Sequence, residues 1–185
     1  MPQPLNNKYY TYSDYCTWDD SKRWELIAGA PYMLAPGPSP QHQSISGMLF
    51  RVLSDFLEGK PCQVFSAPLD VRLNANSTDD TVVQPDLLVV CDQSKLDEKG
   101  CTGAPDMTIE ILSPHSQQRD RYQKFQLYRD AGVREYWIVD PESKTIQAHV
   151  LRDGDYITYI YGNDEAAPVQ ILDGLSIDIH YIFRS

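Results

Sequence analysis

No apolar run among the 185 residues approaches the ~20 needed to cross a bilayer, so no membrane partner is expected. The opening stretch Met1-Pro2-Gln3-Pro4-Leu5-Asn6-Asn7-Lys8 has neither the apolar core nor the cleavage pattern of a signal peptide, which points to a cytoplasmic protein. Cysteine is scarce. The four residues, at 16, 62, 91 and 101, contain no Cys-x-x-Cys, which argues against a thiolate metal knuckle. Reduced thiols are expected, with Cys91 a small core residue closing an apolar run. Basic charge is short as well: 16 Lys and Arg stand against 26 Asp and Glu, a net charge of −10. That balance argues against tight, standalone binding to a phosphate backbone. Also missing are a Gly-x-Ser-x-Gly elbow, a Gly-Lys-Ser/Thr phosphate loop, a His-Glu-x-x-His pair and a dinucleotide fingerprint, so the chemistries that need them are unsupported.

What is present describes one α/β domain over residues 11–185 behind a flexible tail, 1–10. Thr11 caps a short helix from Tyr12 to Trp18, and Arg23 to Ala35 reads as a hairpin turning about Ala28-Gly29, broken by Pro36-Gly37-Pro38. Ser39 is a natural N-cap with Pro40 behind it. Ile45, Met48, Leu49, Val52, Leu53 and Phe56 then recur at spacings of three and four, and Gly59 and Pro61 stop the helix. Val64 to Leu73 supplies one or two strands, and Asp92 to Gly103 reads as a loop. A second helix runs from about Gln117 to Ala131, with Tyr122, Phe125, Tyr128 and Ala131 as its packing stripe. Glu135 to Val139 is a buried strand, Thr145 to Tyr161 a hairpin about Asp153-Gly154, and Leu175 to Ile179 an alternating, half-exposed strand.

Two acids interrupt the buried strands. Asp86 opens Leu87-Leu88-Val89-Val90, and Glu110 lies in the middle of Met107-Thr108-Ile109-Glu110-Ile111-Leu112. Alternation puts Glu110 on the face of Thr108 and Leu112, opposite Ile109 and Ile111. A carboxylate inside a strand is costly unless a partner or a metal neutralises it. Two acids with Lys124 nearby suit a divalent cation and an activated water, the outline of a phosphodiester-cleaving site. Structural alternatives stand beside this: a turn aspartate at 86, a buried salt bridge between Glu110 and Lys124, and a surface ion pair between Lys124 and Asp120, four residues apart. Arg119 and Arg121 read as surface charges, with a phosphate contact by either as the alternative. His115, His149 and His180 have no metal-site spacing.

Pro85-Asp86, Glu110-Ile111-Leu112 and Lys124 resemble the PD-(D/E)XK nuclease superfamily. Trp24-Glu25-Leu26-Ile27, Ser39-Pro40-Gln41-His42-Gln43, Asp70-Val71-Arg72-Leu73 and Gly132-Val133-Arg134-Glu135-Tyr136-Trp137-Ile138-Val139-Asp140-Pro141 narrow the likeness to the Uma-two family of restriction-endonuclease-like proteins, over roughly residues 10 to 180. The resemblance implies a restriction-endonuclease-like αβββαβ core, with a mixed central sheet flanked by helices and with added hairpins at both ends. It implies an endonuclease hydrolysing DNA, with Mg²⁺ or Mn²⁺ on Asp86 and Glu110. The motif's lysine, two residues past the second acid, is Leu112 here; the resemblance implies that Lys124 replaces it. Ala28-Gly29-Ala30 also departs from the family, which commonly carries acids around this glycine. Glu25 is a further catalytic candidate, and His42, Asp70 and Asp120 are accessory ones. DNA contact is expected to be weak or transient, and a homodimer is the expected assembly. The alternative is an inactive relative used as a binding or assembly module.

Overall fold

The computed structural model describes residues 8–34, 37–114 and 116–184. Residues 1–7 of the expected tail, the breaker Pro36 and His115 lie outside them. Tyr10 donates its amide to the Gly29 carbonyl and Tyr9 its hydroxyl to Asp80. The Tyr9 ring also packs where a Cβ at position 29 would stand, and Gly29 has φ +75°, so two constraints select glycine at this turn.

The main sheet has six strands in the order Asp155–Tyr161, Thr145–Arg152, Glu135–Asp140, Met107–Ile111, Leu87–Val90, Gln63–Ser66. All neighbours are antiparallel except Met107–Ile111 with Glu135–Asp140. A parallel pair requires a crossover, and the helical segment between the two strands provides it. A second six-stranded sheet contains the hairpin Trp24–Ile27 and Ala30–Met33, then Val82–Val83, Val71–Arg72, Gly100–Thr102 and Leu96–Asp97. The stretch from Asp92 to Gly103 is therefore more than a loop: its last strand pairs in parallel with Val71–Arg72. The C-terminal strand is shorter than its alternation suggests, Ser176–Asp178, and is followed by a helix, Ile179–Phe183.

Helix α1 is Tyr12–Tyr15, and α2 is Pro40–Leu57, where Ser39 accepts the His42 amide at 3.2 Å. Ile45, Leu49, Leu53 and Leu57 of α2 pack on Leu87, Val89, Ile109, Ile111, Trp137 and Val139, which all lie on one face of the main sheet. Each such side chain contributes about 1.5–3 kcal/mol relative to exposure. Leu88, Val90, Leu112, Tyr136 and Ile138 form the opposite face, against Tyr128, Ile27, Val71 and Val83. Strand parity therefore turns Glu110 away from α2, towards the crossover helix.

The crossover helix is wound as a π-helix over Arg119–Lys124 and continues as α3, Phe125–Ala131, until Gly132 at φ 87° ends it. The wider turn resets the facing residues. Asp120, Lys124 and Tyr128 point inward, whereas Tyr122, expected in the packing stripe, is 66% exposed. Arg119, expected at the surface, keeps only 10% of its side-chain exposure, and Asp120 and Lys124 are a buried pair rather than a surface one.

The expectation of reduced thiols is corrected too. Cys62 and Cys91 flank the paired strands Gln63–Ser66 and Leu87–Val90 and form a disulfide; Cys16 and Cys101 are free. The register that pairs Gln63 with Val90 brings the two cysteines opposite one another, a placement that 28 intervening residues hide in the sequence.

His149, buried on Thr145–Arg152, bonds Thr158 through Nδ1 at 2.8 Å, while Nε2 is buried with no hydrogen-bond partner among the described residues. Burial, aided by the Arg121 charge, pushes this imidazole down to about 4. Below its ordinary value near 6.5 the unfolded chain binds the proton and the native state refuses it, so stability falls with acidification until about pH 4. Between about pH 7.5 and about pH 5 this one group should cost roughly 2 kcal/mol. Urea titrations of the wild type and His149→Gln at both values test this: the variant should lose that much less, and equal losses would overturn the assignment.

Candidate functional site

Asp86, Glu110, Lys124, Asp120, His42 and Gln84 all line one cleft of about 1010 Å³. Its carboxylates come from adjacent strands. The register that pairs Leu87 with Ile109 carries Asp86 opposite Glu110, and the Ile111 amide donates to Asp86 Oδ2 at 2.8 Å. His42, one turn into α2, approaches the same oxygen through Nε2 at 3.1 Å. Burial opposes a charge on this imidazole, but the hydrogen bond to Asp86 and its carboxylate charge outweigh it and hold the His42 pKa above its ordinary value.

Lys124 is the hub. Its Nζ lies 2.7 Å from Glu110 Oε1, 2.8 Å from Glu25 Oε1 and 3.9 Å from Asp120 Oδ1. Glu110 Oε1 also accepts the Tyr128 hydroxyl at 2.7 Å, and Glu25 Oε1 accepts the Gln84 amide at 2.9 Å. Glu25 is fully buried on its hairpin strand, sharing a face with Ile27. Asp70 stands behind this group, held by Tyr15 at 3.0 Å and Gln84 at 2.8 Å; burial raises its pKa. The structure thus gathers Asp86, Glu110, Lys124, Glu25, Asp120 and His42, and connects Asp70 indirectly, through Gln84 and Tyr15.

The charges do not balance. Burial acts against ionised Glu25, yet Lys124 and Arg119 together hold its carboxyl below the usual range. Glu110 is left short. Burial, with Asp120, Asp86 and Glu25 nearby, pushes its carboxyl up to about 8 in spite of the Lys124 ammonium. Burial likewise raises Asp120. Four acids face Lys124, Arg119 and His42, and the deficit of positive charge falls on Glu110, beside Asp86 in the cleft.

Two members do more here than their sequence reading assigned them. Arg119 looked like a surface charge because the helical phase of its segment is set by the π-turn. Tyr128 was assigned to packing, although its spacing of four from Lys124 was the available signal.

Among the described residues, no helix is long and apolar enough to cross a membrane, and no three His, Cys, Asp or Glu side chains converge as a ready-made metal cage. Comparison with known proteins places the chain beside a family, a sequence relative and a solved structure. The family profile Uma2, described as "Putative restriction endonuclease", matches residues 11–180. The uncharacterized protein slr1290 of Synechocystis sp. is 27% identical over 175 residues, covering 92% of this chain and 90% of that protein. The crystal structure of a putative nuclease belonging to DUF820, from Anabaena variabilis, superposes with a TM-score of 0.77 at 22% identity, covering 95% of this chain and 98% of the other. That likeness establishes the mixed α/β nuclease fold.

Proposed function

The chain belongs to the Uma2 family of putative restriction endonucleases, and from that membership we propose that its cleft hydrolyses DNA phosphodiester bonds with a divalent cation, Mg²⁺ or Mn²⁺. The observation that carries the reading is geometric: Asp86 and Glu110 stand opposite one another on paired strands at the cleft, with the Lys124 ammonium 2.7 Å from Glu110.

The donor set fits such a cation. Asp86 gives Oδ2 to the Ile111 amide and His42, and neither Asp86 Oδ1 nor Glu110 Oε2 takes a hydrogen bond from the described residues. Two carboxylates without a third ligand suit Mg²⁺, which completes its shell with water and substrate oxygens; all-oxygen donors disfavour zinc. When bound, the cation would polarise the phosphoryl group and acidify a water.

The protein's own groups supply the rest. Lys124, locked beside Glu110, stabilises negative charge as it builds on the phosphate and orients the attacking water. Glu25 and Tyr128 hold that ammonium and that carboxylate in register. His42 fixes Asp86 through Oδ2, leaving Oδ1 as the oxygen that would hold the cation. The net charge of −10 makes the DNA contact weak or transient.

Purified protein should nick plasmid DNA with Mg²⁺ or Mn²⁺ and stop when the ion is chelated. A wild type that is silent under every such condition would sink the proposal. Two features favour the alternative of a non-catalytic module: Lys124 turns two of its three donors to Glu25 and Glu110, and Leu112 holds the motif's usual lysine place. Its homodimer would pair along the exposed edge strand, where Ile157, Tyr159 and Ile160 face solvent. Calorimetry separates the two readings, since an assembly module has no cause to bind Mn²⁺ at Glu110.

A further inference from the structure

Arg119 begins the π-helical turn and lines the same cleft as Asp86, Glu110 and Lys124. Only a tenth of its side chain is exposed. Glu25 anchors it from within: Nη1 lies 3.4 Å from Glu25 Oε2, close enough for an ion pair but not aligned as a hydrogen bond. Nε and Nη1 are both buried, and neither has a hydrogen-bond partner among the described residues. Glu25 Oε2 is in the same condition.

A guanidinium carries five N–H donors in a rigid planar fork, and leaving a buried donor unmade is costly. A purely structural counter-ion for Glu25 would close that hydrogen bond, whereas the contact Glu25 makes at 2.8 Å is through Oε1 to Lys124, which it shares with Glu110. Arg119 is thus a counter-ion that Glu25 holds without closing a hydrogen bond, kept at the cleft with Nε and Nη1 unfilled. The acceptor that suits it is anionic and offers two oxygens at the spacing of the fork, as a phosphodiester does. The same cleft is lined by the first turn of α2, with Ser39, Gln41 and His42, and that 18-residue helix presents its positive end there. Both features therefore favour an anion in the cleft.

We propose that Arg119 is a phosphate clamp, gripping the non-bridging oxygens of a backbone phosphate next to the Asp86–Glu110 pair, with Glu25 as the anchor that sets the angle of the fork. The inference rests on the nuclease reading for its ligand, a nucleic-acid strand, but it is tested without cleavage.

The measurement is the salt dependence of binding to a short fluorescein-labelled single-stranded oligonucleotide, by anisotropy, with Ca²⁺ in place of Mg²⁺. Each phosphate neutralised on a single strand contributes about 0.7 to the slope of log K against log salt. Arg119→Gln should therefore flatten the wild-type slope by about 0.7 and weaken binding roughly tenfold, the size of one charge-assisted contact. Arg119→Lys, which keeps the charge but loses the fork, should keep the slope and still bind more weakly. Arg51→Gln, at an exposed position on α2, should change neither. If Arg119→Gln fails to fold because Glu25 is left with one counter-ion fewer, the Glu25→Gln/Arg119→Gln double variant removes both charges and must show the same flattening. A folded variant with the wild-type slope overturns the clamp, as does a wild type that binds no oligonucleotide. Arg119-dependent binding without cleavage by Mg²⁺ or Mn²⁺ would sink the nuclease reading alone. Cleavage with an Arg119-independent slope would sink the clamp alone.

Discussion

Lys124→Met should be among the most damaging single substitutions in the protein, destabilising it by about 3–5 kcal/mol and abolishing cleavage. The ammonium is buried to within 2% of complete and touches two carboxylates that are themselves buried. Methionine fills much of the same volume, so the loss is almost entirely one of charge. Glu25 keeps Arg119, but Glu110 is left with Tyr128 alone. Removing one partner of a buried pair is far worse than removing both, because the remaining charge has neither water nor counter-ion. Glu110, whose carboxyl is pushed up to about 8 even beside Lys124, holds its proton readily at neutral pH and so escapes part of the penalty, which places the expected loss at the lower end of the range. The check is a pair of urea melts. Lys124→Met/Glu110→Gln should recover most of the lost stability, since a neutral amide still accepts the Tyr128 hydroxyl, while cleavage stays absent in both variants. A single variant within about 0.5 kcal/mol of the wild type would mean that these charges are hydrated.

Asp86→Asn should separate stability from chemistry in the opposite way. Asparagine keeps an oxygen for the Ile111 amide and relieves repulsion with Glu110, at the expense of the ionic contact to His42. These effects offset one another, and the melting free energy should move by no more than about 1 kcal/mol. Cleavage should fall by about 10³-fold or more, because the several kcal/mol of charge stabilisation that a cation supplies requires its carboxylate. Calorimetry should show Mn²⁺ binding lost in parallel. Full activity in this variant would place the catalytic centre elsewhere in the cleft; retained Mn²⁺ binding with lost activity would shift Asp86 from holding the ion to positioning water or substrate.

Much of the architecture was legible because its signals are local. Ser39-Pro40 with apolar residues every three or four positions gives α2. Ala28-Gly29 and Asp153-Gly154 both adopt the positive φ values of tight hairpin turns. Apolar runs around Asp86 and Glu110 give the central strands, and parity alone puts Glu110 on the face away from Ile109 and Ile111. Where local signals misled, a longer-range feature intervened. The π-turn at Arg119–Lys124 breaks the 3.6-residue period, so Tyr122 points outward and two charged residues inward. The parallel pairing of Val71–Arg72 with Gly100–Thr102 recruits a stretch whose Asp, Lys and Gly content reads as a loop.

Hydrophobic periodicity in this chain was sufficient to choose the elements and to mark Asp86 and Glu110 as acids in places where acids are costly, since the unfavourable burial of a carboxylate is visible one residue at a time. The sequence offered Lys124 as one partner for Glu110, a contact the structure contains, but could not choose between that pair and a metal. That Lys124 sits between Glu110 and Glu25, and that Arg119 leans on Glu25, depends on how the hairpin of one sheet is set against the helix that crosses the other. Charge pairing acts through space and decays over a few ångströms, so it is fixed by packing between segments nearly a hundred residues apart, for which linear spacing holds no information.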